Sequence, residues 1–188
     1  MKVLIGKDVD VIAPFPSGAF PQAATWMHCY KTLIFGDSGP QTNEEIEAFL
    51  ADRARQPNIQ TWGIVDKNNL TQSRQIEAPL VGIGFLEVLS PENGYFHIAS
   101  NRRSWGEKIA SPSLAHQAAE LVIQEVWDVL PSLQRLSAAT YASNKAARNL
   151  IRKVGFQKDG YFVAMGKTKG QPQDVIHFGL LRPTQLEG

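Results

Sequence analysis

Apolar and polar positions in the first part of the chain predict one strand and then a helix. The two kinds of residue alternate over residues 9–13, and the pattern stops at Pro14 and Pro16, which predicts an edge-like first strand. Apolar residues at helical spacing over about residues 21–35 then predict a helix that ends at Gly36.

A second helix and a group of strands are predicted next. Thr42 is followed three places later by Glu45, which is the spacing of a capping box, and apolar residues continue behind it at helical spacing. The apolar segments that follow are short, β-branched or aromatic, and bounded by turn residues, with a polar hairpin loop at residues 66–79. They predict three successive antiparallel strands: Thr61 to Val65, Leu80 to Leu89 and Tyr95 to Ser100.

The second half of the chain begins with a polar, glycine-containing loop at residues 101–111. Apolar residues then recur every three or four positions over residues 114–129, which predicts a long helix that Pro131 ends. A shorter helix is expected to begin near Ser143 and to close on Gly155 in a left-handed conformation. The remaining segments predict three strands: Arg135 to Tyr141, Phe156 to Lys167 and Val175 to Leu181.

This order of elements is an α+β arrangement rather than a regular alternation of strands and helices. The chain has 188 residues, of which 43% are hydrophobic and 20% charged, so it is long enough to bury one substantial core. A single domain over residues 1–188 is therefore expected.

Charge and cysteine content narrow the function classes. The 19 Lys and Arg residues against 18 Asp and Glu leave a net charge of +1, so no overall field attracts nucleic acid or an anionic membrane. The single cysteine, Cys29, excludes an internal disulfide and is expected to be a small buried residue on the first helix. With no apolar run of bilayer length, no signal-peptide pattern and no His spacing typical of a metal site, a soluble, cytoplasmic, metal-free protein is expected.

The polar loop before the long helix carries candidate anion-binding chemistry. Gly106 lets the backbone approach a ligand closely, and the first amides of the following helix point the same way. Arg102, Arg103 and Lys108 add positive charge. A glycine before a helix more often only forms a turn than binds a ligand. The anion-binding interpretation of this loop is therefore supported only when the second half of the chain is considered with it.

Two segments resemble motifs of one enzyme superfamily. The run Arg103-Ser104-Trp105-Gly106-Glu107-Lys108-Ile109-Ala110 resembles the Arg/Gln-x-x-Gly-x-Gly/Ala pyrophosphate loop of the GNAT acetyltransferases. Residues 144–156, from Asn144 to Phe156, resemble the later Asn…Leu-x-x-Lys-x-Gly-Phe segment, in the family's order and spacing. Residues 157–161 resemble the strand that follows this segment in the family, and residues 174–177 resemble the final strand of the branch that acetylates protein N-termini, notably those of ribosomal proteins.

The resemblance implies a GNAT-like fold that binds acetyl-CoA. Its mixed, largely antiparallel sheet would have about six to seven strands flanked by about four helices, splayed between strands four and five with acetyl-CoA in the gap. The pyrophosphate would lie on backbone amides of the loop, the pantetheine arm would pair with strand four, and Asn144 would lie near that arm. Arg148 or Lys145 would meet the adenosine phosphates. The implied cofactor-binding residues are Ile98, Ala99, Ser100, Arg103, Ser104, Trp105, Gly106, Glu107, Lys108, Ile109, Ala110, Asn144 and Arg148.

Three positions depart from the family pattern. Lys108 stands where a second small residue is usual, and Ala147 replaces a frequent hydroxyl residue. Ile151 occupies the position where many relatives carry the tyrosine that protonates the departing thiolate. The general acid is therefore unassigned.

Acetyl transfer from a thioester needs a neutral amine, and the free energy of deprotonating the amine depends on the acceptor. Deprotonation at pH 7 costs about 4.6 kcal/mol for a lysine but only about 1 to 1.4 kcal/mol for an α-amine. Tyr95, His97 and Ala99 share one face of strand four, and His97 is the first candidate proton acceptor, ahead of Glu87 and Tyr95. Each also has a structural reading: a hydrogen-bonded histidine, an exposed strand carboxylate and a core tyrosine.

The leading hypothesis is an acetyl-CoA-dependent N-acetyltransferase that transfers an acetyl group directly to a primary amine, which is a protein or peptide N-terminus or a small molecule. The first two helices and the last hairpin would build the acceptor pocket, and the protein would be a monomer or a homodimer. A catalytically silent acyl-CoA-binding module is the alternative, motivated by the three departures. A nucleic-acid-binding domain that uses the basic residues is weaker, because the total charge is balanced.

Overall fold

The computed structural model describes residues 1–67, 80–100 and 113–183. Within these ranges the chain forms one eight-stranded sheet, four helices of nine residues or more and a one-turn helix, α2. The elements are β1 (Lys2–Ile5), β2 (Val9–Ala13), α1 (Phe20–Cys29), α2 (Lys31–Ile34), α3 (Asn43–Arg55), β3 (Ile59–Asp66), β4 (Leu80–Ser90), β5 (Asn93–Ser100), α4 (Leu114–Val129), β6 (Arg135–Tyr141), α5 (Lys145–Lys153), β7 (Gln157–Thr168) and β8 (Gln171–Leu181).

The strand order is β1-β2-β3-β4-β5-β6-β8-β7, and every neighbouring pair is antiparallel except β5 with β6, which is parallel. The α+β class and the mixed, largely antiparallel sheet are confirmed, but the expectation of six to seven strands is too low. The additional strand is β1, which pairs with β2 from Lys2↔Ala13 to Ile5↔Asp10. Residues 9–13 are therefore not at the edge of the sheet. Because β1 is mostly exposed, it shows no alternation of apolar and polar residues that would have revealed it.

The first helical segment is shorter than its apolar pattern predicts. The expected single helix over residues 21–35 is divided at Tyr30. The backbone of Tyr30 is not helical, with φ −119° and ψ 15°. Gly36 follows α2 with φ +68°, the left-handed conformation expected there. Cys29 is exposed rather than buried, since it lies on the solvent side of α1.

The capping box predicted for α3 is present. The Thr42 hydroxyl accepts from the Glu45 backbone N–H at 3.1 Å, and the Thr42 backbone N–H donates to the Glu45 carboxylate at 3.2 Å. The predicted positions of α4 and α5 are also confirmed, with Ser113 and Asn144 as side-chain caps. Gly155 ends α5 with φ +98°. Local signals therefore fix the ends of these helices.

Helices cover both faces of the sheet. On one face α4 and α5 pack against a core that includes Trp62, Leu86 and Phe96, all at most 5% exposed. On the other face α1 and α3 pack against Ile83 and Phe85 of β4 in a second apolar cluster. Alternate residues of the same strands thus pack into opposite cores. The sequences of the central strands are therefore nearly continuous apolar runs. No helix in the described ranges is long and apolar enough to cross a membrane.

Candidate active site

The β5 and β6 strands separate after a short stretch of parallel pairing. Their register in the described residues consists of Asn93↔Arg135, Gly94↔Leu136 and Tyr95↔Ser137. From Phe96 onward β5 stays paired with β4, while β6 stays paired with β8. This divergence is the splay that the family resemblance implies between strands four and five, which become the fifth and sixth once β1 is counted.

A cleft of about 740 Å³ occupies the separation between these two strands. We call it the β5–β6 cleft. The ends of β5 and β6 form its floor. One side comes from α1, α2 and α3, and the other side comes from the first two turns of α4 and from α5. The cleft therefore connects the two faces of the sheet where β5 and β6 separate.

Two of the three candidate catalytic residues line the cleft. His97 and Glu87 do so, whereas Tyr95 lines an adjoining open depression of about 620 Å³. In the β4–β5 ladder Glu87 lies opposite Tyr95, and His97 lies opposite Phe85. Directly opposed residues of an antiparallel pair project to the same side, so all three candidate side chains share the face covered by α1 and α3.

The environment of His97 keeps its imidazole uncharged. The ring is exposed to the cleft, yet the surrounding protein desolvates it. This burial, aided by the positive charge of Arg53 and opposed by Glu87, lowers the pKa of His97 from 6.5 to about 4. Arg53 donates to the Glu87 carboxylate at 3.4 Å, so these two charges already form a pair. Burial raises the pKa of Tyr95, which keeps its phenol protonated.

The candidate cofactor residues fall into three groups. Ile98, Ala99 and Ser100 line the cleft along β5. Asn144 lines it at the start of α5, where its side-chain oxygen also accepts from the Ala147 backbone N–H at 3.1 Å, so the capping role and the cleft position coexist. The loop residues Arg103, Ser104, Trp105, Gly106, Glu107, Lys108, Ile109 and Ala110 lie outside the described residues.

The structure does not bring Arg148 to the cleft. Arg148 instead lies near Tyr161 of β7 and Asp174 of β8. The hydrogen bond from Tyr161 to Asp174 raises the pKa of Tyr161, and the nearby positive charge of Arg148 opposes that rise. Residues 146, 149 and 153 of the same helix do line the cleft. At 3.6 residues per turn, Arg148 lies about 200° around the helix from Ala146, which explains its direction.

Sequence reasoning missed Asn149 and Lys153 as cleft residues. Lys153 is exposed and supplies a cation on the α5 side of the cleft. The signal was available in helical spacing, because residues three, four and seven apart share one face. Once Ala146 is placed at the cleft, Asn149 and Lys153 follow, because they lie three and seven residues further along the same helix.

Comparison with known families identifies the chain. Residues 14–157 match the family described as "Acetyltransferase (GNAT) domain", which is more than half of the sequence. The chain belongs to the GNAT acetyltransferase family. The resemblance seen in residues 103–110 and 144–156 is thereby confirmed at the level of the family. A comparison with curated proteins found no match.

Solved structures with the same fold include acetyltransferases named for different acceptors. The ribosomal-protein-S5-alanine acetyltransferase from Vibrio fischeri is 15% identical, with a TM-score of 0.74 over 98% of each chain. A ribosomal L7/L12 alpha-N-protein acetyltransferase in complex with coenzyme A is 12% identical, with a TM-score of 0.74 over 96% of this chain and 98% of that one. A spermidine N-acetyltransferase mutant from Vibrio cholerae is 16% identical, with a TM-score of 0.70 over 91% and 94%.

The cleft of this GNAT chain fits an elongated thioester cofactor such as acetyl-CoA. Small side chains at Ala138, Ala139 and Ala147 allow a ligand to approach the backbone closely, and Asn144 and Lys153 supply polar and cationic groups. The cleft also reaches Ser113, the N-cap residue of α4, whose hydroxyl accepts from the His116 backbone N–H at 3.3 Å, so the helix dipole rather than that amide would favour an anion there. Within the described part of the chain, no group of three or more His, Cys, Asp or Glu side chains is arranged to hold a metal ion.

Proposed function

We propose that this GNAT chain transfers the acetyl group of acetyl-CoA directly to a primary amine. Acetyl-CoA would lie in the β5–β6 cleft and supply the acetyl group as an activated thioester. The observation that carries the proposal is the position of His97, a neutral imidazole on the wall of the cleft beside the point where β5 leaves β6.

His97 is proposed as the proton acceptor. A base with a pKa of about 4 is uncharged at pH 7, so it is always ready to accept a proton. It is nevertheless too weak to remove the proton of a free ammonium in advance, because an α-amine has a pKa of about 7.7 to 8.0 and a lysine about 10.4. His97 would therefore act only as the new bond makes the nitrogen acidic, and the amine must arrive neutral.

This requirement favours an acceptor of low basicity. An α-amine is neutral in an appreciable fraction of molecules at pH 7 to 8, whereas a lysine side chain is almost entirely charged. The adjoining depression and the cleft share Ala139, so a peptide bound with its N-terminus at His97 has room to extend over β6 and β8. We therefore place a protein or peptide N-terminus ahead of a lysine side chain as the acceptor.

Ile151 favours a second candidate, a silent acyl-CoA-binding module. It lines the cleft at the family position where a tyrosine is frequent, and it is 8% exposed within the main core. An isoleucine cannot protonate a leaving thiolate. A transferase would then have to release its thiolate without an acid at this position.

One experiment separates the two candidates. Calorimetry measures acetyl-CoA binding, and a thiol reagent measures CoA release with a panel of primary amines at pH 8. The transferase proposal predicts amine-dependent thiol release, together with acetylated product by mass spectrometry. Binding of acetyl-CoA without thiol release for any amine would support the silent module, and absence of binding would refute both.

A further inference from the structure

An aromatic wall forms the α1–α3 side of the β5–β6 cleft. We define this wall as Tyr30, Ile34, Phe35, Phe49 and Phe85. Phe49 packs edge to face on Phe35 at 5.4 Å and on Phe85 at 6.2 Å between ring centroids. Phe85 is buried, whereas the other four are only partly buried against the second apolar cluster, and all five line the cleft. Apolar surface is thus presented to the cleft by residues that a filled core would have buried.

The wall begins next to the proposed proton acceptor. Phe85 is the direct cross-strand partner of His97 in the β4–β5 ladder, so their side chains project from neighbouring positions on the same face. An amine whose nitrogen reached His97 would therefore place its nearest substituent against Phe85 and Phe49. The wall is positioned to contact the part of the acceptor closest to the reacting nitrogen.

Few charges accompany this wall. Among the described cleft residues, the charged side chains are Arg53, Glu87 and Lys153. Arg53 is bound to Glu87, and its guanidinium also lies 5.1 Å from the centre of the Phe49 ring. Lys153 belongs to α5 on the opposite side of the cleft. The one carboxylate that faces the wall is therefore already paired, and no second carboxylate of the described lining could receive another cation.

We propose that the aromatic wall selects a primary amine whose carbon chain carries an apolar or aromatic group close to the nitrogen. This proposal rests on the proposed function and names the acceptor class for the same site. The group is supplied either by the first side chain of a peptide or by a small arylalkylamine. A polyamine is selected against, because its second ammonium would be desolvated on the wall without a free carboxylate.

The test is an acceptor panel on the unmodified protein at fixed acetyl-CoA concentration, read as kcat/KM for thiol release. Four peptides differ only in the first residue, which is Phe, Leu, Ala or Asp, and phenethylamine, ethylamine and spermidine are run beside them. We expect the Phe and Leu peptides to exceed the Ala peptide by about tenfold or more, the gain typical of added apolar contacts in a pocket. Phenethylamine should exceed ethylamine similarly, and the better of peptide and arylalkylamine identifies the source of the apolar group.

Two conservative variants connect any preference to the wall. Phe49→Leu should reduce the ratio of the Phe to the Ala peptide several-fold. Phe162→Leu is the matched control, since Phe162 is 44% exposed on β7 and does not line the cleft, and the ratio should not change. Circular dichroism checks that both variants are folded. If Phe49→Leu does not fold, the acceptor panel on the unmodified protein decides the proposal.

The possible failures are distinguishable. Turnover with equal kcat/KM for Phe, Ala and Asp peptides, or with spermidine as the best acceptor, would overturn the aromatic-wall proposal while leaving the acetyltransferase proposal intact. Thiol release with none of the amines would overturn the acetyltransferase proposal and the wall proposal with it.

Discussion

The rings of Tyr95 and His97 pack against each other with centroids 4.7 Å apart and planes tilted by 42°, yet they line different cavities. His97 faces the β5–β6 cleft, and Tyr95 faces the open depression over β6 and β8. The pair thus lies where the two spaces adjoin. Because its ring contacts one side of the imidazole, we propose that Tyr95 positions His97 rather than carrying a proton.

His97→Gln should lower turnover without releasing acetyl-CoA. Loss of a general base typically reduces kcat by about 10²- to 10⁴-fold, whereas the cofactor affinity should change by less than about twofold because the imidazole contacts the amine side. Initial rates of thiol release and calorimetry measure the two quantities. His28→Gln is the control, since His28 lies on α1 and does not line the cleft. Equal loss of rate in both variants would remove His97 from the mechanism.

The titration of His97 is predicted to lie well below that of an ordinary histidine. Its pKa of about 4 means that the ring is neutral at pH 5 to 8 and gains a proton only as the pH falls through about 4. The His97 Cε1–H resonance followed by NMR from pH 3 to 8, assigned with His97→Gln, measures this directly. A midpoint near 6.5 would show that the cleft does not desolvate the ring.

Changes at the Arg53–Glu87 pair should move that midpoint in opposite directions. Arg53 lowers the pKa of His97 and Glu87 raises it. Arg53→Gln should therefore shift the His97 titration upward, and Glu87→Gln should shift it further downward. Shifts of the same sign in both variants would contradict the assignment of these two charges as neighbours of the ring.

Lys153 and Lys145 provide a matched pair on α5. Both are exposed lysines of the same helix, but only Lys153 lines the cleft. Lys153→Met should weaken acetyl-CoA binding by about 1 kcal/mol, roughly fivefold in Kd, as is typical of a partly screened ion pair. Although the family resemblance offers Lys145 as a contact to the adenosine phosphates, it does not line the cleft, so Lys145→Met should leave Kd unchanged. Calorimetry at low and high salt measures both, and the effect of Lys153→Met should diminish at high salt.

Two leucines of β4 test the packing between the sheet and α4. Leu86 is fully buried in the main core, whereas Leu89 is 58% exposed at a register shift near the end of the strand. Leu86→Ala should lower the free energy of unfolding by about 2 to 5 kcal/mol through lost burial and the cavity that remains. Leu89→Ala should change it by no more than about 0.5 kcal/mol. Urea unfolding gives both values, and similar losses would contradict the assigned strand faces.

Local signals in the sequence predicted most elements correctly. The capping box at Thr42 and Glu45, the helical period over residues 114–129 and the glycine at Gly155 each depend on residues within one or two turns of one another. The same reasoning failed for β1, which has too little burial to show a period, and for the helix predicted over residues 21–35, which divides at Tyr30. Such patterns revealed neither the short, exposed strand β1, which has no alternation, nor the residue at which the first helix is interrupted.

The candidate site was predictable in its residue types but not in its electrostatics. His97 and Asn144 could be chosen from the sequence, and the structure places both at the cleft. The low pKa of His97 could not be predicted from the sequence. It is caused by burial and by the Arg53 guanidinium, which the fold brings from distant parts of the chain. Arg53, for example, reaches Glu87 across 34 residues of sequence.

Apart from β1 and the break at Tyr30, the sequence by itself determined the order of strands and helices, the resemblance to the family and the residue types available for the reaction. These features depend on short-range periodicity and on two contiguous motifs. Only the tertiary structure decided where β5 leaves β6, which face of α5 lines the cleft and that an aromatic wall adjoins His97. Those features arise from packing between segments far apart in the chain, where burial and charge depend on neighbours that no local pattern specifies.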